Sequence, residues 1–128
     1  MSAPRPEEAE RRALEILGLA RRAGRVALGT RAVREAGAEG RLRCVLLARD
    51  AGHNARDRLG KTATGEGVRV LRVSSRSTLA AALGRDDLVT VGVTDEGFAR
   101  LVSELLPEEG AVATRGSAPD PEGTGRED

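Results

Sequence analysis

The stretch LRCVLLA, Leu42 to Ala48, constrains the fold of this chain more than any other. It is a nearly continuous apolar run bounded by polar residues, which is how a strand covered on both faces reads. A strand of that kind needs packed layers above and below it. The rest of the sequence supplies them, because helix-like and strand-like pieces alternate along its length.

Glu7 to Arg22 carries Ala13, Leu14, Leu17 and Ala20 at helical spacing, with Pro6 before it and Gly24 as a stop. Val26 to Leu28 is a short strand. Thr30 is placed to cap a helix that turns Val33 and Ala36 inward and ends by Gly40. After Leu42–Ala48, Asp50 or Asn54 starts a helix that ends near Lys61. VRVLRV, Val68 to Val73, alternates like a strand; Ser74 and Ser75 then cap a short helix that stops at Gly84. LVTVGV, Leu88 to Val93, is the fourth strand, and Asp95 caps a last helix through Leu105, with Glu96 in its first turn. The pattern predicts an α/β chain with a three-layer α/β/α arrangement around four strands. One domain spans residues 7–106. Residues 107–128 are rich in Gly, Pro and acid and read as a disordered acidic tail. There is no internal repeat.

Function in such folds concentrates beyond the carboxyl ends of strands. The four strand-to-helix junctions differ in chemistry. Two of them carry a carboxylate, Asp50 and Asp95, which satisfies its own helix and repels other anions. The other two, Gly29-Thr30-Arg31 and Ser74-Ser75-Arg76, offer hydroxyls, backbone N–H groups and an arginine. A helix N-terminus without a carboxylate suits phosphate, although each hydroxyl alone is also an ordinary N-cap. Charge points the same way. From Arg11 to Lys61 there are thirteen Lys and Arg against five Asp and Glu, whereas Pro107 to Asp128 holds two against six. Clustered basic charge is an electrostatic footprint for a polyanion.

Other chemistries find no residues. The 128-residue chain has one Phe, no Tyr and no Trp, so it cannot read single strands by stacking bases on aromatic rings. One cysteine and one histidine leave no zinc site, and no disulfide is available. Cys44 lies in the most apolar strand and reads as a core filler; His53 has no evident catalytic partner. Gly24 and Gly29 have the spacing of a phosphate-binding P-loop, but Thr30-Arg31 follows where Lys and then Ser or Thr are needed. No catalytic residues, metal or cofactor are predicted, and no small-molecule substrate. No apolar run approaches the ~20 residues of a membrane span, so the expected setting is cytoplasmic, away from membranes.

Four pieces in order, LGLARRAGRVALGTRAVREA, LRCVLLARDAGHNARDRL, VRVLRVSSRSTLAAALG and LVTVGVTDEGFARLV, resemble the kink-turn-binding ribosomal-protein family. Its members include the archaeal L-seven-Ae and L-thirty-e proteins, and the bacterial YlxQ-like branch is the nearest in appearance. The resemblance runs from about residue 11 to 104. It implies an α/β/α sandwich with a small mixed four-stranded sheet covered by helices on both faces, no catalysis, and binding of sharply bent RNA, with ribosome association. It places RNA against the Gly29 turn and beside the loop Val73 to Arg76. The family pattern at the first site is Gly-x-Asn-Glu-x-x-Lys. Here Gly29 matches, while Arg31, Ala32 and Glu35 replace the Asn, the Glu and the Lys. The candidate RNA-binding residues are therefore Arg25, Gly29, Thr30, Arg31, Ser74, Ser75 and Arg76. Arg25, Arg31 and Arg76 are assigned to phosphates. The three replaced residues suggest an alternative, a protein-interaction module of the same fold that has lost specific RNA binding; a weaker one is a substrate-recognition domain of an RNA-modifying enzyme acting without its catalytic half.

Overall fold

The computed structural model describes residues 5–52, 59 and 67–108. The elements, in chain order, are α1 (Pro6–Arg22), β1 (Val26–Leu28), α2 (Thr30–Ala38), β2 (Cys44–Ala48), β3 (Arg69–Val73), α3 (Arg76–Ala82), β4 (Thr90–Val93) and α4 (Glu96–Leu105). Most of the helix expected between Asp50 and Lys61 lies outside the described residues, as does His53; Leu59 within that stretch is helical and buried. Residues 109–128 of the expected tail also lie outside them.

The strands form one sheet in the order β1-β4-β2-β3. β4 runs antiparallel to both β1 and β2, and β2 and β3 are parallel, with Cys44 opposite Arg69 and Ala48 opposite Val73. β2 is buried at all five positions, as its composition demands. Its residues alternate between two cores. Cys44 and Leu46 join Leu17 of α1, Leu79 and Leu83 around α3, and Val102 of α4 on one face. Val45 and Leu47 join Val33 and Ala36 of α2 on the other, together with Leu42 and Leu59. The result is the three-layer α/β/α sandwich with a mixed sheet that the sequence predicts.

Local signals set the boundaries. Pro6 occupies the first turn of α1, where its missing N–H costs nothing, with Glu7 and Glu8 beside it and Arg21 and Arg22 in the last turn. Ser75 Oγ accepts a hydrogen bond from Thr78 N at 3.1 Å at the start of α3, and Asp95 caps α4 through Phe98 N at 2.9 Å. Gly92 in β4 sits between Ala27 and Val45. A Cβ there would lie 2.5 Å from Leu42 Cδ2 and 3.3 Å from Val33 Cγ2, so glycine is what lets α2 close on the sheet.

Two expectations change. Thr30 is the first helical residue of α2 and not its cap; Gly29 is the cap, and no side chain caps this helix. Backbone pairing with the sheet also runs past Leu106, into the stretch read as tail. Pro107 O accepts a hydrogen bond from Arg72 N at 2.9 Å, and Glu108 bridges to Leu71. These two residues cover part of the free edge of β3, which would otherwise present unpaired backbone groups.

Candidate nucleic-acid interface

The strand directions decide which junctions can share a ligand. β1, β2 and β3 all point the same way, because β1 and β2 each run antiparallel to β4. Gly29, Arg49 and Ser74, which follow these strands, therefore stand along one end of the sheet. Gly29 N donates to Thr90 O at 2.9 Å. Thr90 is opposite Leu47, and Leu47 is opposite Arg72. Gly29 and Arg72 thus occupy one row of the sheet. Three strand spacings of about 4.8 Å put the Gly29 turn and the Ser74 loop roughly 14 Å apart.

This brings Gly29, Thr30, Arg31, Ser74, Ser75 and Arg76 to one end, and leaves Arg25 out. Arg25 precedes β1, and its carbonyl accepts from Thr94 N at 2.9 Å at the far end of the sheet. Asp95 lies at that far end too. Arg25 follows the same arginine-rich run in sequence, but a strand that short still carries the chain from one pole to the other.

The two junctions differ physically. Gly29 has φ +92 and ψ 160, a conformation essentially reserved for glycine. It turns the chain directly into α2, whose first turn has no acidic residue. The N–H groups of Thr30, Arg31 and Ala32 come before the first intrahelical donor, Val33 N, which bonds Gly29 O at 3.0 Å. They are unpartnered among the described residues and carry the positive end of the helix dipole. Arg31 is almost wholly exposed, with its side chain 94% accessible, and pairs with Glu35 at 3.4 Å. A pair that open contributes little and yields readily to a competing anion. Arg34, which sequence reasoning missed, lines the same shallow cleft of about 280 Å³ with Arg31, Glu35 and Ala38. Its signal was the three-residue spacing from Arg31, which places both on one helix face.

The second junction is not free of carboxylates, contrary to the sequence expectation. Glu10 of α1 takes both donors of Ser74, Oγ at 2.6 Å and N at 2.9 Å. Asp50 accepts from Arg76 N at 2.8 Å, so it serves α3. Asp87 holds the Arg76 guanidinium through two bonds, from Nε at 2.7 Å and Nη2 at 2.6 Å. The hydrogen bond from Arg76 holds the Asp87 carboxyl below the usual range, and the bond to Asp87 raises the Arg76 guanidinium. Glu10, Asp50 and Asp87 are far from Ser74 in sequence, and no local pattern announces them. One end of the molecule therefore offers an open set of donors at α2 and a set already engaged by carboxylates at α3.

Cys44 is fully buried, and burial pushes its thiol up to about 12, opposed by the nearby Arg69 charge. It is the core filler the sequence suggests. Among the described residues, no group of three His, Cys, Asp or Glu is placed to hold a metal ion, and no helix is long and apolar enough to cross a membrane.

Residues 11–103 match the sequence model of the ribosomal protein L7Ae/L30e/S12e/Gadd45 family. The chain is 35% identical over 91 residues to the RNA-binding protein YlxQ of Bacillus subtilis (strain 168), an alignment covering 71% of this chain and 91% of that one. A solved structure of a Bacillus halodurans protein of unknown function, 33% identical, superposes with a TM-score of 0.67 over 73% of this chain and 94% of its own. The 15.5kD RNA-binding protein of Giardia lamblia, 15% identical, shares the fold, with a TM-score of 0.63 over 80% of this chain and 90% of its own.

Proposed function

The chain belongs to the ribosomal protein L7Ae/L30e/S12e/Gadd45 family, and we propose from that premise that it binds structured, kink-turn-like RNA without catalysis. The setting we infer is ribosome-associated and cytoplasmic. The observation that carries this reading is the N-terminus of α2. A glycine-only turn presents three N–H groups that are unpartnered among the described residues, no acidic residue stands in the first turn, and Arg31 stands there with Arg34 next along the same helix face. Such an end receives phosphate. Arg31 offers only donors and Ala32 no side-chain hydrogen bond, so the turn positions the RNA backbone more than it reads bases. The Ser74–Arg76 loop lies beside it and takes part once phosphate displaces Asp87 from Arg76.

Titration with a kink-turn RNA and a plain duplex of equal length, at two salt concentrations, tests this. Log affinity should fall with log salt by about 0.7 to 0.9 per phosphate contact. Changing Arg31 and Arg76 to Ala should reduce that slope by up to about two. The second reading, an interaction module that has lost specific RNA binding, is favoured by the pairing of Arg31 with Glu35 and of Arg76 with Asp87. A native protein with equal, weak affinity for both RNAs and a slope unmoved by the double change would select it.

A further inference from the structure

The opposite end of the sheet holds a second group of cations. β2 and β3 both begin there in parallel, with Cys44 opposite Arg69, so Arg43 and Arg69 leave neighbouring strand starts. α4 supplies Glu96, Arg100 and Ser103, whose spacings of four and three residues put them on one helix face. Arg43, Arg69, Arg100, Ser103 and Glu96 line one cleft of about 190 Å³. Arg43 is held in place by the backbone: its Nη1 donates to Gly40 O at 3.2 Å and Leu42 O at 3.1 Å. Among the described residues that line the cleft, Glu96 is the one carboxylate; it is 3.9 Å from Arg43 Nε, with both side chains well exposed. That pair is weak. Among the described residues, Arg69 and Arg100 form no salt bridge.

We propose that this cleft binds the phosphate backbone of a second RNA segment, with Arg43, Arg69 and Arg100 as the phosphate ligands and Ser103 as a hydroxyl donor. The inference rests on the reading that the chain binds RNA. Among the described lining residues, three guanidiniums against one loosely held carboxylate leave an excess of positive charge, and planar forks of donors match phosphate oxygens. The α2 end differs, since Arg31 and Arg76 there each have a carboxylate partner. Five residues of β2 separate the two ends by about 17 Å. A given phosphate cannot contact both, so the cleft takes phosphates other than those held at the α2 end.

Isotope-labelled full-length protein is titrated with a short plain RNA duplex, and separately with inorganic phosphate, while NMR follows Arg69, Arg100 and Ser103 at one end and Thr30 and Arg31 at the other. The expected result is that both sets shift with micromolar RNA, the cleft set moving with phosphate only at far higher concentration. Arg69→Ala/Arg100→Ala should lose the second RNA equivalent, lower the salt slope by about one to two, and leave the Thr30 and Arg31 shifts intact. Shifts confined to Thr30 and Arg31 would overturn the second site and leave the proposed function standing. Shifts confined to the cleft would support the second site and overturn the role given to α2. Shifts at neither end would overturn both. Saturation of the cleft by micromolar phosphate, with no response to RNA, would make it a small-anion site and overturn the inference. The wild-type titration decides the matter even where the double variant fails to fold.

Discussion

Replacing Gly29 by alanine loads strain into the turn that aims α2. The residue sits at φ +92 and ψ 160, where a non-glycine residue costs about 1–3 kcal/mol. Among the described residues, nothing beyond its chain neighbours lies within 4 Å of the added Cβ, so the penalty is conformational and repacking cannot relieve it. Alanine also restricts the unfolded chain, which offsets about 0.4–1 kcal/mol. The net loss is about 1–2 kcal/mol, or a fall in Tm of roughly 4 °C per kcal/mol for a domain of this size. Circular dichroism follows the melt, since the chain has no Trp or Tyr. RNA affinity is measured on the folded protein at the same time. A chain that relieves the strain by turning Gly29 must also re-aim the N–H groups of Thr30, Arg31 and Ala32, so affinity should fall even well below the melt. A Gly29→Ala protein with unchanged Tm and unchanged affinity would refute both the geometry of the turn and its role.

Four further outcomes follow from the packing. Gly92→Ala forces Leu42 and Val33 aside and should cost about 1–3 kcal/mol in a chemical denaturation curve. Thr90→Val removes a buried hydroxyl that has no partner among the described residues and keeps the shape, so stability should rise by about 1 kcal/mol. Cys44 keeps its proton in the folded state up to about 12, against 9.0 when free; its stabilising effect is complete below pH 9 and lost as pH rises toward 12, at up to about 1.4 kcal/mol per unit. Cys44→Ala should lose stability less steeply over that range. Arg76→Ala frees the Asp87 carboxyl, whose titration, read by NMR, should move up toward the ordinary range.

What the sequence revealed depended on how local the physics was. The buried run Leu42–Ala48, the proline start of α1 and the Ser75 and Asp95 caps are set by neighbours within a few residues, and the structure has them where the pattern puts them. The strand-to-helix junction marks Gly29, but the residue pattern points to Thr30 as the cap, because a positive-φ glycine that ends a strand and starts a helix leaves no side-chain signature. Contacts at long range were not legible. Glu10 meets Ser74 across 64 residues, and nothing near either residue predicts the meeting. The sequence assigns Arg25 to phosphate alongside Arg31, yet three residues of extended chain carry it to the other pole.

The edge of β3 shows how a boundary set by composition differs from one set by hydrogen bonding. Pro107 and Glu108 open a stretch rich in Gly, Pro and acid, but their backbone meets β3 at Arg72 N and Leu71. A chain ending at Leu106 loses the Arg72 N–Pro107 O bond and uncovers that edge, at a cost of about 0.5–1.5 kcal/mol. A chain ending at Glu108 keeps both contacts and should melt with the full-length protein. The comparison separates backbone pairing from tail charge, because the shorter chain lacks only Pro107 and one acid relative to the longer. Equal melting of all three chains would show that the bridge to Leu71 contributes nothing. A drop already present at Glu108 would place a stabilising contact beyond it.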